Sequence, residues 1–416
     1  MRRAGLRGAG AVAVSALLMV TAMATAAAAG SYHGDWHRPF WGPPDFLEYG
    51  LQRDLHAIAG DATQGRDNDT PGSTLTQQYL IGQLKRFAVG LDGSKTGDDA
   101  FKQPIPLGTN ILALIPGTDL ADQFVVVGAH YDHLGSGCRS SDPNDHICNG
   151  ATDNAAGVAN ALAIGRALAH ARHAPRRSVI LAFWDREEDG LLGSEYYVQH
   201  PLRPLAQTVA YVNYDIQGAN LLPSLRRDTL AIGAESGGAA LQSLVAAAAR
   251  GPLLTHELSA IFGEGRSDYV NFIGAQVPTV FFSDATGPCY HTAQDQLDIV
   301  DFRKLSFQAL IGIQTVRALA AGAPVTFQAD TPLATYDDVL ALLGIANRAM
   351  VDLDRFPPDQ QQTLLTFRNV VTFVAAMGRD QFGPAGAGAV LASAAAVVQI
   401  LNTGPCEGFF GNPHSR

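Results

Sequence analysis

Phe124-Val125-Val126-Val127-Gly128-Ala129-His130-Tyr131-Asp132-His133 is the stretch from which the fold reads. Its first six residues are apolar or small, and nothing polar alternates with them. A strand with one wet face alternates; a strand covered on both faces does not. The run therefore predicts a central strand over Phe124 to Ala129. That strand delivers His130, Asp132 and His133 at its carboxyl end, where sites form in open α/β sheets. Outward from it, short β-branched or aromatic runs recur at Asn110–Ile115, Ser178–Trp184, Val209–Asp215, Thr229–Ile232 and Thr279–Ser283. Helical stretches lie between them, at Asp153–Ala171, Leu191–His200, Gly237–Ala249 and Phe302–Ala320. This alternation predicts an α/β fold: a mixed, largely parallel central sheet flanked by helices on both faces.

The ends of the chain differ from this pattern. Arg2, Arg3 and Arg7 precede an apolar, Ala-rich run and then the small residues Ala26 to Gly30, the layout of a secretory signal. The expected organisation is a signal peptide over 1–29, a catalytic domain over 30–323 and a helical C-terminal extension over 324–416. Three helices are expected in the extension, around Tyr336–Leu353, Pro358–Met377 and Ala385–Leu401. No stable membrane insertion is expected once the signal is removed. With 47% hydrophobic and 16% charged residues, the chain has ample material for a core, which excludes a mostly disordered protein. A net charge of −10 argues against a nucleic-acid partner. The four cysteines allow three pairings in an oxidising compartment. Cys138 and Cys148 bracket a polar loop and are expected to pair locally.

The chemistry collects where apolar strands end. Beyond His130, Asp132 and His133, these places hold Asn149-Gly150-Ala151-Thr152-Asp153-Asn154, Asp185-Arg186-Glu187-Glu188-Asp189, Asp215 and His291. Two histidines with several carboxylates suit a borderline cation better than an all-oxygen magnesium site. Carboxylates converging in one cleft repel and take up protons unless metal charge compensates. Two divalent cations sharing one carboxylate resolve that conflict and supply a hydroxide nucleophile for hydrolysis. Other signatures fail: His256-Glu257 lacks the second histidine of a thermolysin-like helix, where Ala260 stands, and there is no G-x-S-x-G elbow or P-loop.

Five segments in order carry a resemblance. Val127-Gly128-Ala129-His130-Tyr131-Asp132, Asp153-Asn154-Ala155-Ala156-Gly157, Glu187 to Ser194, Asn213-Tyr214-Asp215 and Tyr290-His291-Thr292 resemble the co-catalytic di-zinc exopeptidases. That family includes secreted bacterial leucyl aminopeptidases, glutamate carboxypeptidases and glutaminyl cyclases, and the resemblance runs from Leu51 to Ala321. It implies two zinc ions per chain. Asp153 is implied to bridge them, with His130 and Asp215 completing one site and Glu188 and His291 the other. By the same resemblance Glu187 is the general base, and Asp132 holds the imidazole of His130. Arg266 and Tyr290 resemble positions lining the substrate side, where they stabilise an oxyanion. The activity implied is an exported aminopeptidase acting on peptide substrates. A glutaminyl cyclase, which uses one zinc, and a non-catalytic binding ectodomain are the alternatives. The chain departs from many members at Tyr269, where they carry histidine, and at Gln294, where some carry a cysteine. With no local partner at Gln294, Cys289 is expected to pair with Cys406 and fasten the extension beside the site.

Overall fold

The computed structural model describes residues 45–403 and Cys406, so the expected signal segment at 1–29 lies outside the described residues. Nine strands form one sheet: β1 Val89–Gly90, β2 Lys102–Ile105, β3 Gly108–Ile115, β4 Leu120–His130, β5 Arg177–Trp184, β6 Thr208–Tyr214, β7 Asp228–Ile232, β8 Leu254–Leu258 and β9 Thr279–Ser283. Their order is β1-β3-β5-β4-β6-β9-β7-β8, with β2 paired to β3. The sheet is mixed, as expected. Its parallel part is central: β4 runs parallel to β5 on one side and to β6 on the other, and β6 parallel to β9. Antiparallel pairings flank this centre, β3 on β5 and β7 on β9.

The valine run of β4 explains itself in this setting. Val125 and Val127 enter one apolar core, and Phe124 and Val126 enter the core on the opposite face. The first core is closed by α1 (Asp45–Ile58), α2 (Pro71–Leu84), α3 (Ala156–Ala169), α5 (Gly238–Ala248) and α7 (Phe302–Ala320). The second is closed by α4 (Leu192–Gln199), α6 (Tyr269–Gly274), α8 (Tyr336–Ala349), α9 (Pro358–Met377) and α10 (Pro384–Thr403). The extension thus supplies Val339, Leu342, Phe367, Val371 and Val390 to the same core as Val126 and Trp184. Local caps set several helix starts. Thr70 accepts from the Ser73 amide at 3.1 Å ahead of α2, and Asp301 accepts from the Lys304 amide at 3.1 Å ahead of α7. A reciprocal Thr335–Asp338 capping box opens α8.

Three features depart from the sequence reading. The helix expected from Asp153 starts at Ala156, because Asp153 and Asn154 hold non-helical backbone, with φ of −115° and −131°. The short strands β1, β2 and β8 and the six-residue α6 were not expected; none is long enough to show a period. Among the described residues, Pro384–Asn402 is the one helix long and apolar enough to cross a membrane by length and composition. The sequence reading expects a helix of the extension here and no stable membrane insertion. In the fold one side of it is covered: Val390 and Leu401 are buried.

Candidate metal centre

Because β4, β5, β6 and β9 run parallel, their carboxyl ends share one edge of the sheet. His130 is the last residue of β4, Asp185 to Glu188 turn away from β5, and Asp215 follows β6. The loop after β9 brings His291, and the irregular turn before α3 brings Asp153. All are buried or nearly so, His291 being the most accessible at 32% of its side chain.

Asp153 stands in the middle with its two oxygens divided. Oδ1 lies 3.2 Å from His130 Nε2, and Oδ2 lies 3.2 Å from His291 Nε2. His130 Nε2 is also 3.4 Å from Asp215 Oδ1, and His291 Nε2 is 3.0 Å from Glu188 Oε2. Glu187 Oε2 sits 3.9 Å from His130 Nε2. Nε2 of both histidines and Oδ1 of Asp215 are buried without a hydrogen-bond partner. Unpartnered lone pairs among buried carboxylates are costly unless a cation takes them. The donor set, imidazole nitrogen and carboxylate oxygen, suits zinc. Among the described residues, His130, Asp153 and Asp215 form one group of converging donor atoms and His133, Asp153 and Glu188 another, with Asp153 common to both; His130 also groups with Glu187 and Glu188.

The electrostatics fit that reading. Burial alone would lower the His130 imidazole, but Glu187 and Asp215 outweigh it and raise it well above its ordinary value. Burial likewise opposes the rise at His291, where Asp153 and Glu188 push it up to about 10. Burial, reinforced by Asp215, Asp268 and Glu188 and opposed by His130, holds the Glu187 carboxyl well above the usual range. Burial and Asp153 act upward on Glu188 too, yet its bonds to His133 and His291 outweigh them and bring it down to about 2.

Asp132 is placed between two loops. Its Oδ1 is 3.5 Å from His130 Nδ1, while its carboxylate accepts the amides of Glu187 and Glu188, each at 3.2 Å. Arg266 and Tyr290 lie together on the open side of the cleft, the guanidinium carbon 5.2 Å from the ring centre. Tyr290 also stacks on His291, with ring centres 3.7 Å apart. Both expected disulfides are present. Cys138 joins Cys148 with Cα atoms 6.0 Å apart, and Cys289 joins Cys406 at 4.7 Å. The first tethers a loop whose Arg139 carbonyl accepts the Ala293 amide at 2.9 Å, beside His291.

Four further residues shape the centre. Arg66 is wholly buried and donates to four backbone carbonyls on the two ligand loops: Tyr131 at 2.8 Å, Asn149, Gly150 at 2.8 Å and Asp153 at 3.1 Å. Asp295 accepts from the Thr152 amide and hydroxyl, both at 2.9 Å, and from the Asp153 amide at 3.0 Å. His133, which the sequence placed at the strand end without a role, holds Glu188 Oε1 through Nδ1 at 2.7 Å. Asp268 is buried near Glu187, and burial pushes its carboxyl up to about 7. The residues after β4 announce themselves by position; Arg66 and Asp295 do not, since each reaches its partners across long separations in sequence.

Comparison with known proteins agrees with this geometry. The model of peptidase family M28 matches residues 110–311. Leupeptin-inactivating enzyme 1 of Streptomyces exfoliatus is 28% identical over 166 residues, 40% of this chain and 34% of that protein. A probable zinc metalloprotease of Pyrenophora tritici-repentis is 32% identical over 112 residues, 26% of this chain and 24% of that protein. The chain thus spans about a quarter to a third of the length of these curated relatives. Among solved structures, the LapA aminopeptidase of Legionella pneumophila superposes with a TM-score of 0.53 at 16% identity, covering 66% of this chain and 72% of that one. The glutaminyl cyclase of Porphyromonas gingivalis does so at 0.52 and 20% identity, covering 66% and 97%. A stretch matching peptidase family M28, a sheet edge that gathers candidate metal-binding side chains and these superpositions together show that this chain has an M28-type α/β fold, the fold of the Legionella aminopeptidase and the Porphyromonas glutaminyl cyclase.

Proposed function

We propose that this chain is an exported zinc aminopeptidase that removes N-terminal residues from peptides. The observation that carries the reading is Asp153, whose two oxygens each lie 3.2 Å from a different unpartnered imidazole nitrogen. His130 and Asp215 would hold one zinc, Glu188 and His291 the other, and Asp153 both. Bound there, zinc supplies positive charge that acidifies water and polarises a carbonyl oxygen. The chain's own residues do the rest. Glu187, beside the ligands and raised in pKa by burial, accepts the proton of the attacking water and passes it to the departing amine. Asp132 fixes the imidazole of His130 and the amides of Glu187 and Glu188, so base and ligand turn as one unit. Arg266 and Tyr290 face the substrate side and stabilise the oxyanion.

Two disulfides support export to an oxidising compartment. The retained carboxylates fit a one-zinc glutaminyl cyclase as well, and a metal count separates the two readings. Amino-acid 4-nitroanilides and N-acetylated controls, assayed beside metal analysis, test the proposal. Cleavage of free but not blocked substrates at about two zinc per chain supports it; one zinc with cyclisation of N-terminal glutamine overturns it.

A further inference from the structure

α7 carries a buried cation that the metal chemistry leaves without a role. Lys304 and Gln308 stand one helical turn apart and so share a face of α7. Lys304 Nζ donates to the Ala219 carbonyl at 2.6 Å and pairs with Asp284 Oδ1 at 3.0 Å. Gln308 donates to the same Asp284 oxygen at 2.8 Å and accepts the Gly218 amide at 3.0 Å. The other oxygen of Asp284 accepts the Ala219 amide, also at 3.0 Å. All three side chains are buried. A buried ion pair adds little net stability, since desolvation offsets its attraction, so this one calls for another account.

Its place in the fold supplies one. Asp284 directly follows β9 and opens the segment that leads to Tyr290 and His291, while Ala219 lies in the loop that leaves β6 through Asp215. Each of these loops begins with a sharp turn. Ile216 and Ala285 have φ of 55° and 62°, left-handed conformations that disfavour any side chain and a β-branched one most. Such strain persists only where the surroundings over-determine it. Here the Asp284 amide donates to the Ile216 carbonyl at 2.8 Å, and Lys304 and Gln308 hold the residues next to both turns. Ile216 and Ala285 also line the cleft that holds Asp153, Glu187 and Asp215. α7 thus clamps two neighbouring loops, each carrying a proposed ligand of a different ion.

We propose that Lys304 is a positioning residue for the metal centre: by binding the Ala219 carbonyl and the Asp284 carboxylate it fixes the two loops from which Asp215 and His291 reach their separate ions. The inference rests on the two-metal reading of the site and adds the residue that sets those two ligands against each other. The opposing account is an ion pair that serves the fold alone.

Variants of the full chain separate the two. Lys304→Met should weaken zinc binding, measured by competition with a chromogenic chelator, by about 10–100-fold, as when partners behind metal ligands are removed. The visible spectrum of the cobalt-substituted protein should change with it. On leucine 4-nitroanilide kcat should fall by at least about tenfold, with KM within about threefold of wild type. Arg177→Met is the control. That buried guanidinium donates to the Leu319 and Ala323 carbonyls at 2.7 and 2.8 Å, at the far end of α7. Its loss should lower the melting temperature and leave zinc affinity, spectrum and kcat as they are. Lys304→Met strands a buried carboxylate, so should it not fold, Lys304→Met combined with Asp284→Asn, which removes both charges, carries the test. Wild-type zinc affinity, spectrum and kcat in a folded Lys304 variant would overturn the proposal and leave the pair a role in stability. If the wild-type protein binds two zinc ions but cleaves no anilide, the aminopeptidase reading fails instead, and zinc affinity and the cobalt spectrum still decide the role of Lys304. A wild type that binds fewer than two zinc ions would overturn the two-metal reading and this proposal with it.

Discussion

Glu187 and Glu188 are adjacent, identical in chemistry and opposite in electrostatic fate. Glu188 is drawn down to about 2 by two imidazoles, while Glu187 is held high by burial among other carboxylates. A ligand needs the first condition and a proton shuttle the second. Glu187→Gln is expected to cut turnover by about 10²–10⁴-fold with zinc content still near two, measured by anilide hydrolysis and metal analysis. Lost zinc in that variant would reverse the assignment. The two raised histidines predict a proton release. A group with raised pKa keeps its proton to higher pH, so protons compete with zinc at both imidazoles. Zinc addition at pH 7 should therefore release protons into weak buffer, with affinity falling as pH falls. Release near zero would contradict this. Arg66 marks the limit of the sequence at this scale. Its acceptors lie 65 to 87 residues away, inside an Asp- and Gly-rich stretch that reads as loop. Arg66→Met leaves four buried carbonyls without that donor, and at roughly 1–3 kcal/mol for each unsatisfied group it should lower the melting temperature and the zinc content together. Normal zinc content would restrict Arg66 to a role in stability.

At the scale of elements, what could be read depended on burial. β4 was legible because a strand covered on both faces needs an unbroken apolar run, and its neighbours in the parallel centre share that signature. The flanking strands β1, β2 and β8 are short and partly exposed, so their residues carry no such pattern. The start of α3 was misread for a different reason: the turn at Asp153 is held by Asp295, 142 residues away, and nothing local reports it. The disulfides were legible from number and spacing. Peptide mapping without reduction should recover Cys138 with Cys148 and Cys289 with Cys406. The second link closes 117 residues, worth about 4–5 kcal/mol in a chain-entropy account, so Cys406→Ser should melt well below wild type in calorimetry. An unchanged melting curve would mean that apolar packing alone seats α10.

In the whole molecule, the metals would tie together loops from four strands and the turn before α3. Ligands that bind only the folded state stabilise it by mass action. Removing zinc with 1,10-phenanthroline should therefore abolish hydrolysis and lower the melting temperature, and added zinc should restore both; activity that survives complete removal would end the metallopeptidase reading. The residues proposed as ligands stand where apolar strands end in the sequence, whereas the position of α8–α10 is left open by it. Their amphipathic faces show that they pack on something. That they complete the core around Val126 and Trp184 emerges only in three dimensions.

All the proposed zinc ligands lie between His130 and His291, whereas the extension lies downstream, with α10 at Pro384–Thr403. The proposed ligands and the extension are therefore written in separate stretches of one chain. A protease that trims the C-terminal helix would leave every proposed zinc ligand in place along the chain.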